Sequence, residues 1–291
     1  MAKGKSESQP QNFVCAPSLQ TQSILLGDAR EILASIPPQS VQSVVTSPPY
    51  WGLRSYGAKD EVGAEDTLEG YLDGISRVFG EIKNALADDG VVWVIIGDGY
   101  TSGNRTYRDA DKRHVHRGMS SRPKTPIGLK PKDLLGLPWR VAFRLQADGW
   151  YLRSETIWHK PNPIPESVKD RPHQCHEHIF LFSKSEHYLF DWHALRALDN
   201  NRIRPSRSVW AVSVNTGTKG HAAPFPIDLI KPCIMASTRL GDLVLDPFAG
   251  SGSVGVACKE LGRSFVGIEL IEDNVQQARN RIRHTEPLMK D

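Results

Sequence analysis

A mostly parallel α/β sheet with helices on both faces is the fold this 291-residue sequence predicts, on three observations. Short apolar runs alternate with helix-period stretches along most of the chain. Several of those runs, Val91–Ile96 above all, are apolar at every position, as strands covered on both sides must be. The glycine-rich run Gly250-Ser251-Gly252-Ser253-Val254-Gly255 sits between a predicted strand and a predicted helix, the place where such sheets hold ligands.

In chain order, Ser23–Leu26 reads as a short buried strand closed by Gly27-Asp28, followed by a helix through Ile32 and Leu33. Val41–Val45 is a second strand, which Ser47-Pro48-Pro49 must end because proline cannot donate to a ladder. Leu72, Ile75, Val78, Phe79, Ile82 and Leu86 recur at helical spacing and mark one face of a helix over residues 71–87. Asp88-Asp89-Gly90 is expected to stop that helix ahead of the strand Val91–Ile96. Residues 139–147 read as helix, and Tyr151–Trp158, His178–Phe182, His187–Phe190 and Ser208–Ser213 as strands. A helix over 226–237 precedes the strand Leu243–Leu245, which leads into the glycine turn. A helix over 253–261, a strand Phe265–Ile268 and a helix Asp273–Arg283 close the chain.

Two stretches break the alternation. Residues 99–137 are polar and rich in glycine, proline and cations, and residues 161–207 are irregular apart from their two strands. Long stretches of this kind inside a compact domain are usually functional or disordered. The resulting division is a flexible leader over 1–21, core segments over 22–98, 138–160 and 208–291, and the two irregular segments between them.

Composition narrows the function. A hydrophobic fraction of 39% with seven tryptophans is ample for a packed core. No apolar run approaches the ~20 residues of a membrane span, and the polar start MAKGKSESQPQNF has no apolar targeting core, so a cytoplasmic protein is expected. Cys15, Cys175, Cys233 and Cys258 form no CxxC pair, which argues against a disulfide framework or a zinc knuckle. The net charge of +3 permits nucleic-acid binding without arguing for it; the distribution of charge does that. Residues 101–132 hold nine Lys/Arg against two Asp, among them Arg105, Arg108, Lys112, Arg113 and Arg117, with Tyr107, His114 and His116 interspersed. Such a concentration in a nearly neutral chain marks a phosphate-binding arm. Arg196, Arg202, Arg204 and Arg207 form a second basic cluster.

The glycine run by itself fits NAD, FAD or S-adenosylmethionine equally well. Glu269 ends the next strand about 20 residues on, where an acid accepts hydrogen bonds from a ribose hydroxyl pair. Only one strand–helix unit follows the turn, too little for a dinucleotide domain, so Ser23–Leu26 with Asp28 is the natural donor of the missing strand. Asp246-Pro247-Phe248-Ala249-Gly250-Ser251-Gly252 and Thr46-Ser47-Pro48-Pro49-Tyr50 together resemble the amino-methyltransferases of DNA, in the permuted (β) group where the catalytic run precedes the cofactor run. Trp51-Gly52-Leu53-Arg54, Glu155–Pro163 and His221–Pro226 are similar to further segments of that family, and the likeness covers most of residues 22–284.

The resemblance implies a Rossmann-like methyltransferase fold with permuted motif order, small inserted DNA-recognition segments, S-adenosylmethionine as cofactor and double-stranded DNA as substrate. It places Asp28, Phe225, Asp246, Phe248, Gly250, Gly252 and Glu269 around the cofactor, with Asp28 toward the adenine and Phe225 on the methionine side. Asp28 also reads as a plain helix cap, and the two roles are not exclusive. It makes residues 161–207 the target-recognition segment and 99–137 a DNA-binding arm that shares the work. Ser47, Pro48, Pro49 and Tyr50 become the catalytic residues. An exocyclic amine is a poor nucleophile because its lone pair is delocalised into the ring, and acceptors aimed at its hydrogens favour the pyramidal geometry that attack on a sulfonium methyl requires. The Ser47 side chain and the Pro48 carbonyl supply those acceptors, while the Tyr50 ring stacks on a base flipped out of the duplex.

Serine at the head of the run is typical of cytosine-N4 enzymes in this group, and aspartate of adenine-N6 enzymes, so the resemblance implies cytosine N4, with adenine N6 as the alternative. A non-catalytic DNA-binding protein on the same scaffold is a more remote one. Methylation at cytosine C5 needs a cysteine nucleophile, and Cys233, although preceded by Pro232, sits among Ile230, Ile234 and Met235 on an apolar helix. His173, Cys175, His176 and His178 lack a second ligand cluster, and no metal is expected. A homodimer and a cognate restriction endonuclease acting on the same site are both open.

Overall fold

The computed structural model describes residues 22–52, 61–102, 107, 123–199, 204–214 and 225–288. Their strands are β1 (Gln22–Leu26), β2 (Val41–Thr46), β3 (Leu86–Ile96), β4 (Tyr151–His159), β5 (His176–Ser183), β6 (Val209–Ala211), β7 (Leu243–Asp246) and β8 (Ser264–Glu269). They form one sheet in the order β1-β8-β7-β2-β3-β5-β4-β6. Helices α1 (Ala29–Ile32), α2 (Leu68–Ala85) and α3 (Leu137–Ala147) bury their apolar sides against one face. Helices α4 (Trp192–Ala197), α5 (Ile227–Ser237), α6 (Ser253–Glu260) and α7 (Glu272–Arg283) cover the other.

The uniformly apolar strands are the central ones. Along β3, Val92, Val94 and Ile96 enter one core while Val91, Trp93 and Ile95 enter the other. Side chains alternate along a strand, so a strand with helices on both faces needs an apolar residue at every position. The first strand joins the last: β1 lies parallel to β8 from Gln22↔Phe265 to Leu26↔Glu269. The architecture is Rossmann-like, a mostly parallel sheet between two helical layers. Among the described residues, no helix is long and apolar enough to cross a membrane.

The sheet is mostly parallel, as expected, and β5 is the strand that runs antiparallel, to both β3 and β4. Several local expectations need correction. The helix α2 ends at Ala85, before the Asp88-Asp89-Gly90 run expected to stop it. Val41 pairs with Leu86 and Ser43 with Val91, so the Asp-Asp-Gly run forms a bulge inside β3. His187–Phe190 is not a strand; Tyr188 and Phe190 owe their apolar pattern to packing against the second core. The strand expected over Ser208–Ser213 shortens to Val209–Ala211. The irregular segment 161–207 also contains α4, capped by Asp191, whose carboxylate accepts from Ala194 N.

Candidate active site

Parallel order brings the carboxyl ends of β7 and β2 side by side, and the two motifs follow those ends directly. A buried hydrogen bond joins them: Thr46 Oγ1 donates to Asp246 Oδ1 at 2.7 Å, across 200 residues of sequence. Phe248 N donates to the same oxygen at 3.1 Å. The other oxygen, Oδ2, is buried with no hydrogen-bond partner among the described residues. Burial pushes the Asp246 carboxyl up to about 7, against the pull of the Thr46 and Phe248 donors, and the nearby Glu269 charge pushes the same way.

Beyond Asp246 the backbone turns through two left-handed glycines, Gly250 (φ 51°) and Gly252 (φ 76°). A Cβ on Gly252 would lie 2.8 Å from Ala278 Cβ, so glycine lets α6 pack on α7. At Gly250 a Cβ would meet no described atom within 4 Å; the turn is open there. Glu269, at the end of β8, braces the turn by accepting from Gly250 N at 2.8 Å, and its second oxygen accepts from Ile271 N and Asn274 Nδ2 at 2.9 and 3.2 Å. An open glycine turn, an orphaned buried carboxylate oxygen and a second carboxylate at the neighbouring strand end fit a cofactor with a cationic amino acid portion and a ribose. Asp28 stands at the end of β1, one strand further out. It caps α1 by accepting from Arg30 N at 2.8 Å, and the Arg30 guanidinium, hydrogen-bonded to its side chain, holds its carboxyl below the ordinary value. Phe248 packs against the first core and Phe225 against the second.

The Ser47–Tyr50 run is held from below by the segment that follows it. Tyr71, fully buried on α2, donates its hydroxyl to the Pro49 carbonyl at 2.9 Å. Trp51 Nε1 donates to Glu65 O at 2.8 Å, and Gly52 N to Gly63 O at 2.9 Å. From the side, the Tyr50 hydroxyl donates to Glu177 Oε2 at 2.8 Å, Ser47 Oγ donates to the Tyr50 hydroxyl oxygen at 3.5 Å, and Lys160 pairs with Glu177. Burial raises the Tyr50 hydroxyl well above its ordinary value, and the Glu177 charge adds to it, so the phenol stays protonated.

The structure thus brings Ser47, Pro48, Pro49 and Tyr50 beside Asp246, Phe248, Gly250, Gly252 and Glu269. Neither of the two predicted DNA-binding arginines that it describes is among them. Arg204 and Arg207 are exposed in the turn leading into β6, at the far edge of the sheet and four strands from β2. Arg105, Arg108, Lys112, Arg113, Arg117 and Arg202 lie outside the described residues. Parts of the two irregular segments do meet: Arg171 stacks 3.8 Å from the Tyr100 ring centroid, and Lys132 pairs with Asp170 at 2.8 Å. His178 Nδ1 lies 2.6 Å from Glu155 Oε1, and no group of three or more potential metal ligands occurs among the described residues. Cys233 is fully buried inside α5, where burial raises its thiol, the opposite of what a nucleophile needs.

Sequence reasoning passed over Thr46, Tyr71, Lys160 and Glu177 as site residues. Tyr71 looks like any core residue of an amphipathic helix. Glu177 carried a faint signal, a charge between two histidines at the start of a strand whose next four residues are apolar.

The DNA methylase family model, N6_N4_Mtase, matches residues 41–280. The chain is 54% identical over 257 residues to the type II methyltransferase M.Cfr9I of Citrobacter freundii, covering 88% of this chain and 86% of that one. It is 48% identical over 268 residues to the type II methyltransferase M.SmaI of Serratia marcescens, covering 91% and 92%. Among solved structures, the DNA modification methylase TTHA0409 of Thermus thermophilus, complexed with S-adenosyl-L-methionine, superposes with a TM-score of 0.64 at 27% identity, over 92% of this chain and 96% of that one. The cytosine-N4-specific PvuII DNA methyltransferase shares the fold with a TM-score of 0.69 at 22% identity, over 93% and 90%.

Proposed function

The chain belongs to the DNA methylase family, and from that premise we propose that it methylates the N4 amine of a cytosine flipped out of double-stranded DNA, as a member of the permuted group. The observation that carries this reading is the Thr46–Asp246 hydrogen bond, which fastens the strand end bearing the amine-gripping run to the strand end bearing the glycine turn. When bound, S-adenosylmethionine supplies an electrophilic methyl group on a sulfonium centre. The chain's own residues do the rest. Asp246 Oδ2, buried and without a hydrogen-bond partner among the described residues, would accept from the cationic amino acid portion of the cofactor, and Glu269 and Asp28 would receive its ribose and adenine. Ser47 Oγ and the Pro48 carbonyl accept from the target amine and turn its lone pair toward the methyl group. The Tyr50 ring stacks on the base and offsets part of the cost of flipping it.

Serine rather than aspartate at position 47 supports cytosine over adenine. The amine's surplus proton leaves through water, because a serine hydroxyl is no base near neutral pH. The cations of 101–132, with Arg204 and Arg207, are the proposed phosphate contacts, and residues 161–207 the proposed reader of the target site. The type II relatives support methylation at one defined DNA sequence.

The test is mass spectrometry of nucleosides from unmethylated mixed-sequence DNA incubated with the purified protein and S-adenosylmethionine. N4-methylcytosine is the expected product. N6-methyladenine would overturn the base assignment while keeping the chemistry, and no methylated base at all would overturn both.

A further inference from the structure

Two hydroxyls and a carboxylate form a line running away from the catalytic serine. Ser47 Oγ donates to the Tyr50 hydroxyl oxygen, a long 3.5 Å contact in the free protein, and the Tyr50 hydroxyl donates to Glu177 Oε2 at 2.8 Å. Lys160, reaching over from the end of β4, takes the other carboxylate oxygen, Oε1. The side chains of Lys160 and Glu177 are 18% and 17% exposed. A partly buried ion pair of this kind contributes little net stability, because desolvating the two charges offsets their attraction. Its position is nevertheless tightly determined. A Cβ on Gly97, just past β3, would sit 2.9 Å from Tyr50 Cε2 and 3.2 Å from Glu177 Cδ, so the glycine is what lets the ring and the carboxylate close against the strand end.

The direction of the line matters more than its presence. A serine hydroxyl has one donor and two acceptor sites, and its hydrogen turns to suit its neighbours. An amine presenting two N–H groups is gripped only if that hydrogen points elsewhere. An ionised carboxylate can only accept, so Glu177 compels Tyr50 to donate to it. Tyr50 then offers its own lone pairs to the Ser47 hydrogen.

We propose that Glu177 is a positioning residue that sets the polarity of this line, keeping Ser47 Oγ an acceptor toward the target amine. Lys160 pairs with the carboxylate and occupies its outer oxygen. The role rests on the methylation reading above and assigns Glu177 no contact with the base.

Glu177→Gln separates polarity from shape. Lys160 can only donate, so it claims the amide oxygen and leaves the amide NH2 facing Tyr50. The tyrosine must then accept, its hydrogen turns toward Ser47, and the serine hydrogen is pushed toward the amine. The expected result is a fall in kcat of about tenfold or more, with thermal melting and S-adenosylmethionine affinity close to wild type. In a Tyr50→Phe background, which has already lost the hydroxyl, E177Q should cost nothing further.

The experiment follows tritium transfer to unmethylated genomic DNA at saturating cofactor for wild type, E177Q, Y50F and the double variant, with melting and calorimetric cofactor binding alongside. Wild-type kcat in E177Q would overturn the role, as would losses that multiply in the double variant. If E177Q proves unstable, Glu177→Ala measured in the same cycle serves instead, and the same non-additivity is required. A wild-type protein that leaves no methyl group on DNA would bring down the methylation reading first, a failure distinguishable from that of Glu177 alone.

Discussion

Replacing Asp246 with asparagine should stabilise the cofactor-free protein at alkaline pH while weakening its hold on S-adenosylmethionine. The carboxyl is buried at the end of β7, and burial lifts it to about 7, with the Glu269 charge adding to the effect. Burial raises the neighbouring Cys258 thiol well above its ordinary value, the Asp246 charge adding to it, so it stays neutral. In the unfolded chain Asp246 ionises near 3.8, and between there and about 7 the native state holds a proton that the unfolded state has lost. Stability from this group is therefore whole below about pH 4, falls as pH rises through 7, and is flat beyond. The full gap corresponds to about 4 kcal/mol, an upper bound. Asparagine keeps an oxygen for Thr46 and Phe248 and never ionises, but it places an NH2 where Oδ2 has no partner, at a cost of about 1–3 kcal/mol. The net gain expected at pH 8 is about 1–3 kcal/mol, or roughly 2–10 °C in melting temperature, vanishing by pH 5. Calorimetric titration at pH 8 should show the variant binding cofactor at least tenfold more weakly, and wild-type affinity declining as pH is lowered through about 7. A wild-type melting temperature that tracks the variant's from pH 5 to 8 would refute the reasoning.

Ser47→Ala should lower kcat by about 10²-fold or more with cofactor affinity unchanged, because it removes an acceptor used mainly in the transition state; a large loss of cofactor binding with intact turnover would contradict the assignment. Tyr71→Phe orphans the Pro49 carbonyl in a buried setting, so melting should report a loss of about 1–3 kcal/mol, and steady-state kinetics a larger effect on kcat than on cofactor affinity.

What the sequence made legible follows from which interactions are local. Strands such as Val91–Ile96 announce themselves because both faces are buried, and the glycine turn because only glycine suits φ values of 51° and 76°. The same logic misled at His187–Phe190, where the apolar residues Tyr188 and Phe190 pack against the second core rather than pairing in a ladder. It also missed the end of α2, since a bulge that accommodates Asp88-Asp89-Gly90 depends on the register of β2 against β3, which no local run encodes. The site divides in the same way. Ser47–Tyr50 and Asp246–Gly252 are contiguous runs, whereas Thr46, Tyr71, Lys160 and Glu177 act through partners 200, 22, 17 and 127 residues away.

That dependence on the sheet also explains why the order of the motifs along the chain is immaterial to the chemistry. The Ser47–Tyr50 run and the glycine turn lie 200 residues apart in sequence but leave adjacent parallel strands, β2 and β7, about 4.8 Å apart at their carboxyl ends. The strand that carries Asp28 begins the described chain and yet lies beside β8, so the three acids Asp28, Glu269 and Asp246 stand on consecutive strand ends β1, β8 and β7. Cutting the chain elsewhere would leave every one of these adjacencies intact, because each is a ladder contact or a bond between strand ends. The Thr46–Asp246 bond adds a constraint that ladder geometry alone does not supply. Asp246 cannot be drawn toward a cationic ligand without pulling on the residue directly before Ser47. In the proposed reaction, cofactor and amine would therefore meet at one edge, aligned by the pairing of β2 with β7 and by this bond.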